Sequence, residues 1–145
     1  MSGAVPQLRF KGFEGAWKKS RLGQYCEKVG SGATPRGGAE SYLPTGIPLI
    51  RSQNVRENWL ELSDVAFISQ QTHERMRGSW VFPDDVLLNI TGASIGRSCV
   101  VPETVGEANV NQHVCIIRTI VDICSEFLQL FLASERGQKE RLNSH

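Results

Sequence analysis

The sequence predicts an α+β domain built on a small, twisted, mostly antiparallel or mixed sheet, with flanking short helices and a C-terminal helix. Three observations lead there. The chain has 145 residues, 40% of them hydrophobic, which suffices for one packed core and suits a single domain. Its middle holds short apolar runs of strand length, separated by Gly, Pro and Asp. Its end, Ser125 to Leu142, places Phe127, Leu128, Phe131 and Leu132 at the i, i+1, i+4, i+5 spacing of one helix face, able to dock on the domain or on a helical partner.

In chain order, Pro6 to Gly15 reads as a lead-in, and Trp17 to Leu22 as a short strand or turn at the start of the fold. One helical turn is expected over Gly23 to Lys28, followed by an irregular loop from Gly30 to Gly38, where Gly and Pro exclude regular structure. Ile47-Pro48-Leu49-Ile50-Arg51 reads as a short buried strand, with Pro48 at an edge or a strand start. After the apolar run Val65 to Ile68, Ser69 is an N-cap for a helix over Gln70 to Arg77, closed by Gly78 and polar on its outer face. A turn at Pro83-Asp84-Asp85 leads into a buried strand, Val86 to Ile90, and further strands are expected over Arg97 to Val101 and His113 to Arg118.

Charge and cysteine content narrow the function classes. The net charge is +1, yet residues 1–56 hold nine Lys/Arg against three acidic residues, a local +6, so the remainder is at −5. That asymmetry points to a basic face and an acidic face. Eleven of the sixteen basic residues are Arg, whose planar fork suits phosphate and guanine. Cys26, Cys99, Cys115 and Cys124 have no C-x-x-C spacing and read as buried, reduced thiols, with no metal site. No apolar run approaches the roughly 18 residues needed to span a bilayer and none has the form of a secretory signal, so the expectation is a soluble cytoplasmic protein.

Five segments, taken in order, resemble the specificity subunit of type I restriction-modification systems. They are Pro6 to Phe10 with Phe13 to Trp17; Gly30-Ser31-Gly32-Ala33-Thr34-Pro35; Ile47 to Val55; Asp85 to Leu88 through Thr91-Gly92-Ala93-Ser94-Ile95-Gly96; and Asn109 to His113. The resemblance implies a lead-in over 1–16, a DNA target-recognition domain over 17–122 and the start of a truncated helical spacer over 123–145. It implies a non-catalytic module of bacterial defence that reads one half of a split double-stranded DNA target. A second copy or second recognition domain would complete the target. The partners would be a modification (methyltransferase) subunit and a restriction subunit. S-adenosylmethionine, ATP and Mg would sit on those partners, and no cofactor on this chain. Consistent with this, the chain has no G-x-x-x-x-G-K-[ST] motif, and no Pro follows Asn89 in Asn89-Ile90-Thr91-Gly92.

DNA readers make phosphate contacts that set position and base-edge contacts that encode sequence. For phosphate, the candidates are Arg36 in the glycine-rich loop, Arg51, and Thr91, Ser94 and Arg97; the same glycines equally serve a turn or a tight strand connection. Motif residues shared by readers of different sequences cannot encode those sequences, so base readout is expected between the motifs. That selects Gln53, Arg56 and Asn58, and on the polar helix Gln70, Gln71, His73, Arg75 and Arg77. A helix with this face fits a major groove or plain solvent. Asn111-Gln112-His113 is assigned to fastening loops, and Trp17, Trp59 and Trp80 to packing. The competing functions are a truncated specificity subunit acting as a protein-interaction or dimerisation module without DNA readout, and an enzyme using Asp84, Asp85 and His113.

Overall fold

Alternation of side chains along the central strands divides the apolar residues into separate layers. The computed structural model describes residues 26–120 and 124–134. The strands are β1 (Cys26–Ser31), β2 (Ile47–Ile50), β3 (Ala66–Ile68), β4 (Val86–Asn89), β5 (Ser98–Val100), β6 (Asn109–Val110) and β7 (Val114–Thr119), with helices α1 (Gln70–Arg75) and α2 (Ser125–Ala133). The α+β expectation holds, with the strands shared between two sheets. One is fully antiparallel, in the order β1-β7-β4-β5; the other, β3-β2-β6, is mixed, because β2 pairs with β6 in parallel.

Register determines where each side chain goes. Val86 pairs with Ile117 and Leu88 with Cys115, and these four residues meet Leu128 and Leu132 of α2 on one face of the four-stranded sheet. Leu87 and Ile116 point the other way, into a core shared with Ile50, Val55, Val81 and Val110 from the second sheet and its connections. The far side of the second sheet buries Leu49, Ala66 and Ile68 against Tyr42, Ile47 and Met76. Strand β4 is apolar at consecutive positions because the sheet is covered on both faces.

The sheets join where β1 ends. Gly32 donates its N–H to the Val114 carbonyl at 3.0 Å, and Ala33 donates to the Val110 carbonyl at 3.3 Å. A Cβ on Gly32 would lie 2.0 Å from the Val110 oxygen, so only glycine fits this crossing. The Gly30–Gly38 segment is therefore less irregular than its composition predicts: β1 extends through Ser31, and Gly38–Ser41 forms a 3-10 turn. Likewise Cys26 to Lys28 lies in β1, in place of the expected helical turn, because long-range pairing with β7 overrides local propensity.

Ser69 caps α1 as expected, its Oγ accepting from the Thr72 amide at 3.0 Å. Helix α2 stops at Ala133, and Ser134 is extended, so the continuous helix expected to Leu142 is interrupted there. Of its expected apolar face, Leu128 and Leu132 dock inward, while Phe127 and Phe131 are exposed. Cys99 and Cys115 are buried thiols, Cys26 is half-buried and Cys124 is exposed, which corrects the expectation for Cys124. Burial pushes the Cys99 thiol up to about 12. Trp59 is also exposed rather than packed. The lead-in, the element expected at Trp17 to Leu22, the continuation of the spacer beyond Ser134, and the first of the five motif segments lie outside the described residues.

Candidate nucleic-acid interface

The two connections that follow β2 and β4 come together at one end of the core and enclose a cleft of about 460 Å³. Its walls include Gln53, Arg56, Thr91, Ser94, Arg97 and His113. Five of the thirteen candidate DNA residues named from the sequence therefore share one concavity. Asn58 lines an adjoining depression of about 470 Å³ that shares Ser94 and Arg97.

Buried amides hold these walls. Asn54, fully buried, accepts from the Arg51 amide at 2.8 Å and donates to the Glu61 carbonyl at 3.0 Å and to Asp64 Oδ1 at 2.9 Å. These bonds fold the connection after β2 back on itself. Gln53 donates to Asp64 Oδ2 at 2.9 Å at the same bracket. Asn89, at the end of β4, donates to the Ser52 carbonyl at 2.8 Å and to Ser94 Oγ at 3.1 Å, tying the two walls together from beneath.

The Thr91–Gly96 turn spends much of its backbone internally. Ile95 donates to the Gly92 carbonyl, Gly96 to Asn89 and Arg97 to Ser94, with Gly92 and Gly96 in the left-handed region. Thr91 Oγ1 lies 2.6 Å from His113 Nδ1, and Gln112 Nε2 lies 3.1 Å from His113 Nε2. An amide nitrogen only donates, so Nε2 of the imidazole accepts and Nδ1–H donates to Thr91. His113 thereby fastens the cleft turn to the start of β7, and its own N–H donates to Asn111 Oδ1 at 3.1 Å. Among the described residues, the cleft's fixed charge comes from Arg56 and Arg97. Glu61 nearby is held below the ordinary carboxylate range by hydrogen bonds from Ser63, with the charge of Arg56 adding a smaller pull.

Other candidates fall elsewhere. Arg51 turns away, donating to the Asp64 carbonyl at 2.9 Å and lying over the Tyr42 ring. Arg36 is exposed on the glycine-rich loop, away from the cleft lining. Gln70, Gln71 and Arg75 are exposed on α1, and Arg77 lies over Trp80; none of them lines the cleft. His73 does not share their exposed face. It is 2% exposed, stacked on Trp80 with ring centroids 4.7 Å apart, and hydrogen-bonded through Nδ1 to Asn109. Burial lowers its pKa, opposed by the charges of Glu107 and Glu74. The signal that His73 points inward was Met76, one turn later on the same face and packed in the core.

The acid-base candidates do not assemble. Asp85 is 1% exposed, and both its oxygens are occupied: Arg118 Nε and Nη2 each donate at 2.9 Å, and the Phe82 amide donates at 2.8 Å. Asp84 sits at φ +70 in the preceding turn, exposed. Among the described residues no cluster of three His, Cys, Asp or Glu is arranged to hold a metal ion.

Comparison with solved structures finds the same architecture. The crystal structure of the HsdS subunit from Thermoanaerobacter tengcongensis superposes with a TM-score of 0.57 at 15% identity, over 92% of this chain and 30% of that one. A chain from a structure describing complex assembly and conformational transition of the type I R-M system gives 0.59 at 15% identity, over 93% of this chain and 32% of that one. The fold is shared with part of an HsdS subunit. The chain spans about a third of the length of each of these two chains. No family model and no curated protein matches the sequence. The HsdS likeness agrees with the motif resemblance, and the cleft lies between two of those motifs, at Ile47 to Val55 and Thr91 to Gly96. Sequence reasoning missed the amides that build the cleft, Asn54 and Asn89, because a buried Asn near a strand end has the same local signature as a surface turn residue.

Proposed function

We propose that this chain is a sequence-specific double-stranded DNA recognition module of a type I restriction-modification system. It reads one half of a bipartite target and directs methyltransferase and endonuclease subunits that carry S-adenosylmethionine, ATP and Mg themselves. The observation that supports this most is the cleft that gathers Gln53, Arg56, Thr91, Ser94 and Arg97 on a fold shared with HsdS. Arg56 and Arg97 bring charge for phosphate or guanine, and Gln53 an amide matched to adenine N6/N7, each bidentate pair giving about 1–3 kcal/mol of discrimination. Gln70, Gln71, Arg75 and Arg77 on α1, with Arg36 and Asn58, form a second set of contacts on the same DNA. The work takes place in the cytoplasm, where DNA and the partner subunits are. Among the described residues no helix is long and apolar enough to cross a membrane.

The test replaces one recognition domain of a complete specificity subunit with residues 6–133, co-expresses it with the modification subunit, and maps adenine methylation across the host genome. A split motif with one half changed and the other kept is the expected result. A folded, assembled complex that methylates nothing overturns the proposal.

A second reading, a protein-interaction module without DNA readout, is favoured by the outward side of α2. There Leu130 is 58% and Phe131 36% exposed. A steep fall of DNA affinity with salt decides against it.

A further inference from the structure

Gln129 lies on the inward side of α2, 4% exposed, between the apolar Leu128 and Leu132 turns. A carboxamide survives burial when its polar atoms are matched, and here the partners belong to the segments that border the cleft. Nε2 donates to Asn58 Oδ1 at 2.6 Å and to the Ser98 carbonyl at 3.1 Å, and lies 3.2 Å from Ser98 Oγ. Ser98 Oγ in turn donates to the Gln129 carbonyl at 3.5 Å. Asn58 stands at φ +69, and its N–H donates to the Ser98 carbonyl at 3.0 Å. One buried side chain thus joins three segments that lie far apart in sequence. Arg56 is two residues before Asn58, and Arg97 immediately precedes Ser98. Both cations of the cleft are carried by backbone that this amide pins.

We propose that Gln129 is a positioning residue for DNA recognition: through it α2 sets the placement of Arg56 and Arg97 in the cleft. The inference rests on the assignment of the cleft to DNA. A guanidinium pairs with guanine O6/N7 in a restricted, in-plane geometry, whereas attraction to phosphate tolerates displacement. Loosening the Asn58–Ser98 junction therefore lowers discrimination between sequences while leaving the salt dependence of binding nearly intact.

The experiment compares the full chain with Q129M, N58G and the double variant. Q129M keeps the length of the side chain and removes its donor. N58G removes the acceptor at a φ that glycine adopts freely. The readouts are the affinity ratio of target to non-target duplex, the salt slope, and the backbone amide resonances of Arg56, Asn58 and Arg97. Q129M is expected to lower the ratio about five- to tenfold, the worth of roughly one hydrogen bond, with an unchanged salt slope and shifted resonances at all three positions. The double variant is expected to lose less than the sum of the two single losses, because N58G already removes one of the two junctions that Gln129 holds. Additive losses, or resonance changes confined to α2 with an unchanged ratio, overturn the proposal. If the parent chain shows no target preference, the DNA assignment fails, and the resonances alone decide whether Gln129 positions the arginine segments. If Q129M does not fold, Q129E replaces it: its carboxyl regains a donor only when protonated, so selectivity recovers as pH falls. A Q129E ratio that tracks the parent chain at every pH overturns the proposal.

Discussion

Replacing Asp85 by Asn tests the assignment of that residue to structure rather than chemistry. The carboxylate is 1% exposed and accepts three hydrogen bonds, two of them from Arg118, whose side chain is 23% exposed. Asn keeps the shape but turns an N–H₂ toward a guanidinium donor and removes the charge. Breaking a buried ion pair from one side costs about 3–5 kcal/mol. The remaining exposure of Arg118 lets water recover part of that, which brings the expectation to about 2–4 kcal/mol. For a chain of 145 residues, unfolding entropy near the midpoint converts this to a Tm lowered by about 7–13 °C. The D85L/R118M double variant, which replaces the pair with apolar groups, should recover most of the loss, since the desolvation of both charges disappears with them. Urea denaturation of the parent chain, D85N, the D85L and R118M single variants and the D85L/R118M double measures the cost and the coupling. A D85N chain within about 1 kcal/mol of the parent, or a double variant as unstable as the sum of the singles, refutes the reasoning.

Further expectations concern stability and binding. Gly32→Ala places a methyl 2.0 Å from the Val110 carbonyl oxygen, and equilibrium denaturation should show a loss of about 3 kcal/mol from forcing the two sheets apart. His73 has its pKa lowered by burial from 6.5, so the unfolded chain binds a proton more readily than the folded one. Stability is then full above pH about 6.5 and declines as pH falls below it; His73→Gln should flatten that part of the profile in denaturation series at pH 7.5 and 5.5. Combining Arg56→Gln with Arg97→Gln should reduce the slope of log affinity against log salt by about 1.8 if both side chains neutralise phosphates, measured by fluorescence anisotropy on duplex DNA. A reduction in one target position's discrimination with an unchanged slope would instead assign them to bases.

Local signals were strongest where a local cause dominated. Ser69 caps α1 because its hydroxyl reaches an amide three residues on, a contact contained in the sequence. The buried runs Val86 to Leu88 of β4 and Val114 to Ile117 of β7 were legible because a strand segment covered on both faces is apolar at consecutive positions. Strand β6 was not, since two residues, Asn109 and Val110, have no period, and their pairing partner Leu49-Ile50 lies about sixty positions away. The first half of β1, Cys26 to Lys28, reads as a helical turn in the sequence because its pairing partner β7 lies about ninety positions away.

The sequence by itself determined the α+β class, the N-cap of α1, the strands β2, β4, β5 and β7, and the segments from which the cleft is made. Those rest on periodicity and turn chemistry, which act over a few residues. Only the tertiary structure decided which polar residues share a surface. It brought Gln53 and Arg56 beside Ser94 and Arg97, took His73 into the core against Trp80, and set Gln129 beneath the turn at Asn58. A polar side chain's position depends on the register and crossing of elements distant in sequence. A local pattern holds the same residue types whether they face DNA, solvent or a buried hydrogen-bond partner.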